Sequence, residues 1–203
     1  MKSYVTTRQG DAGATRTLAS DKVSKTDPVI ECTGCLDTLR VQTALLRLEI
    51  LELSPETDVE VVHFLLWLLH TFFLLGATVS DPRNKKPELH RGTIEQKHLE
   101  RLERIQARLE AQLDLPQAFI VSATNRVAAR ADITTTTTRT LERRLVALAE
   151  TVPEFNGQTA LAFVNRLSDF FFILARYLEQ GSHLPVDYAV LDEDAGDTSA
   201  NGR

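Results

Sequence analysis

Cysteine is scarce: only Cys32 and Cys35 occur in 203 positions. They stand as CTGC, a spacing used by redox pairs and by half of a zinc site, but a structural zinc needs a second such pair and none is present. No βαβ pattern surrounds them and the histidines are scattered. The plain reading is two small residues on a helix, and so few thiols suit a reducing compartment. A basic block is missing too, and the net charge of −5 sets nucleic acid aside as the main partner. A secretory leader is absent, since MKSYVTTRQGDAG turns polar at once. The longest apolar run, Phe64 to Val79, falls short of the ~18–20 residues a membrane span needs, and His70 interrupts it. These absences lead to the expectation of a cytoplasmic protein that neither enters a membrane nor binds nucleic acid.

What the chain does have is 43% hydrophobic residues with 25% charged ones, an ordinary globular balance at a length for one good-sized domain or two small ones. Residues 1–27 are polar and glycine-bearing, with no helical period. From Pro28, a first-turn proline, IECTGCLDTLRVQTALLRLEIL returns apolar residues every three or four positions. SPETD is a turn, with Ser54 as N-cap of a second helix running to about Val79. SDPRNKKPELHRG reads as an exposed linker. A third helix from about Thr93 carries the stripe Leu99, Leu102, Ile105, Leu109 and Leu113, and Pro116 closes it. A fourth helix follows, VPEFNGQ separates it from the last, and that one runs from Thr159 to about Gln180. The expected fold is all-α, a five-helix bundle over residues 28–180, with an acidic, unstructured tail over 181–203.

Thr134 to Thr138 is a run of five threonines in that frame. β-branched side chains lose χ1 freedom in a helix, yet packing overrides a cost of up to ~0.7 kcal/mol per residue. The run is most simply the first turns of helix four. An edge strand is the alternative, with no second strand evident to pair with it.

Two stretches carry chemistry. TTRQGDAGATRTL sets glycines and hydroxyls beside basic residues, and Lys25 follows in SDKVSK. Glycines admit an anion close to backbone N–H groups, so the segment can cradle a phosphate, although it lacks the P-loop pattern and equally fits a loose N-terminus. In NRLSDFFFILARYLE, Asn165, Arg166 and Asp169 interrupt an apolar helix. Such groups need partners or a ligand, and an intersubunit salt bridge accounts for them as well as a site does.

Taken together, these segments resemble a known family. Thr7-Arg8-Gln9-Gly10-Asp11-Ala12-Gly13-Ala14-Thr15 follows the pattern T-[KR]-T-G-D-x-G-x-T at most positions. VSKTDPVIECTGCLDTL keeps Lys25, Asp27, Pro28, Glu31, Gly34, Asp37 and Leu39 in register with a second family motif, and FVNRLSDFFFILAR mirrors a third. Their order and spacing resemble the PduO-type ATP:cob(I)alamin adenosyltransferases across about residues 5–178. The resemblance implies a ferritin-like five-helix bundle, a homotrimer, and transfer of the 5′-deoxyadenosyl group of ATP to cob(I)alamin with release of triphosphate. Residues 1–27 would then be a nucleotide-binding segment. Thr7, Arg8, Gln9, Gly10, Thr15, Arg16 and Lys25 would hold the triphosphate with Mg²⁺, which binds through ATP. Arg139 from a neighbouring subunit would clamp the leaving group, while Glu142, Arg143 and Asn165 would help fix the nucleotide. Phe119 would cover the lower face of the corrin, with Ser122, Asp132 and Thr135 also facing the corrinoid. A reductase or an adenosylcobalamin-dependent enzyme would be further partners.

The resemblance also has departures, which fall on the fourth helix and the loop before it. The family's PGG loop is Ser122-Ala123-Thr124, its histidine is Asp132, and an arginine expected to pair with Asp37 across the subunit interface is Thr135. Asp37 is therefore expected to be solvated or to take another cation, with Arg40 one turn on as the candidate. The alternative function is a non-catalytic paralogue that binds ATP or corrinoid as a regulatory or partner module.

Overall fold

The computed structural model describes residue 8, residues 10–155 and residues 157–190. The chain opens with a small antiparallel hairpin, β1 (Ala14–Arg16) and β2 (Lys22–Ser24), in which Thr15 stands opposite Val23. Five helices follow: α1 (Pro28–Leu53), α2 (Val59–Ser80), α3 (Gln96–Glu110), α4 (Arg126–Thr151) and α5 (Gln158–Leu178), with a 3-10 turn at Pro87–Leu89 between α2 and α3. α1 packs between α2 and α4, and α5 packs between α4 and α3.

Local chemistry sets the helix ends. Asp27 caps α1 by accepting from Val29 N–H, and Pro28 occupies the first turn, where its missing N–H costs nothing. Ser54 is not the N-cap of the second helix. Its backbone N–H donates to the Ile50 carbonyl and closes α1, while Asp58 caps α2 by accepting from Glu60 N–H. Three residues of turn separate the two caps. α3 starts at Gln96 rather than Thr93, because Glu95 and His98 form a reciprocal capping box there. Of its expected stripe, Leu102, Ile105 and Leu109 are buried, whereas Leu99 and Leu113 are half-buried.

α2 extends the apolar run on both sides to 22 residues, within which an 18-residue window has a mean hydropathy of 1.8, long enough by length and composition to cross a membrane. Its inward face is spent on the bundle: Leu65, Leu68, Phe72 and Leu75 are buried, and Phe64 meets Phe170 of α5 edge-on at 5.0 Å. Burying each such side chain contributes roughly 1.5–3 kcal/mol.

The threonine run is helical, but it is not the start of α4, which begins eight residues earlier at Arg126 behind the N-cap Asn125. Thr134, Thr135 and Thr138 face the core. Their hydroxyls donate to the carbonyls of Arg130, Ala131 and Thr134 at 2.9, 3.0 and 2.8 Å, so burial leaves no polar group unmet. The chain after α5 also departs from expectation. Residues 182–186 fold back onto the loop before α4, so the stretch from 181 does not begin as a free tail. Residues 191–203 lie outside the described ones.

Candidate active site

The hairpin forms a small cradle. Gly13, at φ +78°, turns the chain, its N–H donating to Gly10 O and its carbonyl accepting from Lys25 N–H at 2.9 Å. A side chain at Gly10 would press on the Lys25 ammonium at 3.3 Å, so the glycine leaves room for that cation over the loop. Lys25 and Arg16 are exposed, and Arg16 Nη1 donates to the Ser20 carbonyl at 2.9 Å. Thr15 is half-buried in the hairpin ladder. Arg8 stands at φ +59°, while Thr7 and Gln9 lie outside the described residues. A Lys85–Asp21 ion pair at 2.7 Å ties the hairpin to the loop after α2.

Arg139 is exposed on α4, with no carboxylate within ion-pair reach among the described residues. Glu142 and Asn165 meet across α4 and α5, Asn165 Nδ2 donating to Glu142 Oε1 at 2.8 Å. Arg143 Nη2 donates to Thr140. Arg166 binds Asp169 at 2.7 Å and Glu103 of α3 at 3.4 Å, so this pair has partners within one chain. The hairpin lies over the far end of α4, where Thr17 and Val23 share a cavity with Leu148 and Thr151. Arg139 stands roughly 18 Å from Thr151 along the helix axis at the α-helical rise. The part of the hairpin that lines this cavity is therefore remote from Arg139 within one chain.

The residues assigned to the corrinoid gather at the opposite end of α4, with two corrections. Phe119 is 79% exposed and Ser122 is exposed beside it. Thr135 does not face outward: it is 4% exposed, because the helical period turns it into the core where its hydroxyl bonds Ala131. Asp132 does not point freely at a ligand either. Its Oδ2 accepts from Arg176 Nη2 at 2.8 Å. Burial raises its pKa, the Arg176 charge and hydrogen bond work against that, and Glu179 adds to the rise. Asp37 is solvated and pairs with Arg40 at 2.9 Å, and the same guanidinium lies over the Phe73 ring at 5.0 Å.

Two buried ionic groups that reach α4 escaped the sequence reading. Glu49 of α1 is bound by Arg130 of α4 at 3.1 Å, and Arg130 also reaches Gln42. A signal existed, because Glu49 sits between Leu46 and Ile50 on the buried stripe. The second group is Arg176 with Glu179 and His183 at the end of α5. The CTGC thiols are free: burial, helped by Cys35 and Glu31, pushes Cys32 up to about 12, and burial also raises Cys35.

Residues 5–178 match the family model for cobalamin adenosyltransferase. The chain belongs to that family. The corrinoid adenosyltransferase PduO of Salmonella typhimurium is 30% identical over 87% of the chain, which spans half the length of that relative. The cobalamin adenosyltransferase of Cupriavidus metallidurans is 33% identical over 88% of the chain and 89% of its own length. Among solved structures, a variant PduO-type ATP:corrinoid adenosyltransferase from Lactobacillus reuteri, complexed with cobalamin and ATP, superposes with a TM-score of 0.79 at 26% identity, covering 90% of this chain and 98% of that one. In this chain the helices form the frame, and the hairpin and the Phe119 loop lie towards opposite ends of α4.

Proposed function

We propose that the chain is an ATP:corrinoid adenosyltransferase that works as a homotrimer with its sites between subunits. Cob(I)alamin is the nucleophile: its cobalt forms a bond to C5′ of ATP as the C5′–oxygen bond breaks and triphosphate leaves. The observation that carries this reading is the cradle in which Gly10 makes room for the Lys25 ammonium. Lys25, with Arg16 and the Gly13 turn, would hold the triphosphate, and Arg139 of a neighbouring subunit would add a charge-assisted contact as negative charge develops on the leaving group. Mg²⁺ would arrive on the triphosphate and screen its charge. The exposed pair Glu142–Asn165 offers a fixed hydrogen-bonding edge to the nucleoside. Phe119 would close the lower face of the corrin.

The trimer is supported by one face of α1, where the exposed Asp37 is followed by Val41, Leu45 and Leu48 at helical spacing, an apolar stripe without cover in a single chain. A cytoplasmic setting suits the two free thiols. The paralogue reading gains from Thr135 and Asp132, which are both turned inward at the corrinoid end. An anaerobic assay with MgATP and chemically reduced cob(I)alamin, followed by the corrin spectrum, separates the two. Adenosylcobalamin above the protein-free rate supports the transferase, and ATP binding without turnover supports the paralogue.

A further inference from the structure

The loop that carries Phe119 is held by the end of the chain. Val186 N–H donates to the Phe119 carbonyl and Val121 N–H donates to the Leu184 carbonyl, both at 2.8 Å, forming a short antiparallel clasp around the Ile120–Pro185 bridge. A buried ionic cluster lies behind it. Arg176 and Glu179 are 1% and 2% exposed. Arg176 Nη2 reaches Asp132 Oδ2 of α4 at 2.8 Å and Glu179 Oε1 at 3.3 Å, and Glu179 Oε2 meets His183 Nδ1 at 2.7 Å. Thr124 N–H donates to Glu179 Oε1 at 3.2 Å. Glu179 thus joins three pieces of chain: the loop through Thr124, α4 through Arg176 and Asp132, and the last segment through His183. Gln180 and Gly181, at φ +50° and +81°, make the turn that brings the segment back. Removing one member of such a cluster strands its partner's charge away from water, so the cluster holds its geometry firmly.

We propose that Asp132, Arg176, Glu179 and His183 are positioning residues that fix the clasp and thereby set where Phe119 stands against the corrinoid. The proposal rests on the adenosyltransferase reading, which places Phe119 at the corrin. The exposed Phe119 ring has no burial to fix it, so its place is set through its backbone, and the clasp holds that backbone at its carbonyl. Asp132 links the assembly to α4, so the loop and the helix bearing Arg139 move as one body.

The test compares the full chain with Glu179→Gln and Val186→Pro. The first keeps the side-chain shape but removes the charge at the hub. The second deletes one clasp hydrogen bond and leaves the buried charges intact, so it carries the test if Glu179→Gln fails to fold. Hydrogen exchange at the Val121 amide is expected to quicken in both variants. The KM for cob(I)alamin is expected to rise about tenfold while the KM for ATP stays within about twofold. Unchanged exchange at Val121 in a folded Glu179→Gln protein overturns the clasp. A parallel rise in both KM values overturns the positioning role, because it marks general loosening. An inactive wild-type chain would count against the adenosyltransferase reading, and the exchange measurement would then decide the clasp by itself.

Discussion

A thiol held as Cys32 is has almost no thiolate at neutral pH, and thiolate is the form that reacts. Iodoacetamide at pH 8 is expected to leave Cys32 unlabelled in the folded protein and to label both cysteines once the chain is denatured. Rapid labelling of Cys32 in the native state would contradict its burial. The missing second pair and the lack of a βαβ pattern suggested the plain reading of CTGC, and burial supplies its reason. Single residues were otherwise the least legible scale. Asp37 was legible because Arg40 lies one turn away on the same helix, a relation that numbering alone gives. Asp132 was not, because its partner Arg176 lies on another helix and only the packing of α4 against α5 joins them. Thr135 was misplaced for a related reason: an alignment says which family residue it replaces, but not that the helical period turns its position into the core.

Whole elements were far easier to read, since helical periodicity and caps are local. Ser54 shows the limit: two helix ends fall within five residues, and the serine closes one rather than opening the other. In α4 the threonines divide by face, which yields a paired prediction. Thr136 is exposed, so Thr136→Ala is expected to stabilise the protein by about 0.5 kcal/mol through helix propensity. Thr138 is fully buried, so Thr138→Ala is expected to cost about 1–2 kcal/mol in lost packing. Urea unfolding of both variants checks the contrast, and a stabilising Thr138→Ala would contradict the inward face. Between α2 and α3, a hydrogen bond from Arg108 is the main cause holding the Asp58 carboxyl below its ordinary value. The folded state therefore prefers Asp58 ionised, and that stability is present above the ordinary carboxylate range and lost as pH falls through the lowered folded value. Arg108→Gln is expected to move acid unfolding, followed by circular dichroism, to higher pH. An unmoved midpoint would show that this half-exposed pair adds nothing.

For the molecule as a whole, the proposed trimer is tested at the apolar stripe of α1. Val41 is 64% exposed and Leu48 57% exposed in the single chain. The double substitution Val41→Glu with Leu48→Glu is expected to reduce the mass in light scattering from trimer to monomer while leaving the helical circular dichroism intact. A wild-type protein already monomeric at micromolar concentration would remove the basis for shared sites.

The distance between the hairpin and Arg139 along one chain has a genetic consequence. Lys25→Ala and Arg139→Ala chains should each be inactive alone, yet in the proposed trimer the two defects fall on different sides of the interface. Unfolded together and refolded as random mixtures, they should complement one another, with about a quarter of the sites receiving an intact lysine from one chain and an intact arginine from its neighbour. Recovery near that fraction would show two defective chains making one working enzyme, whereas no recovery would mean that each chain must supply both groups itself.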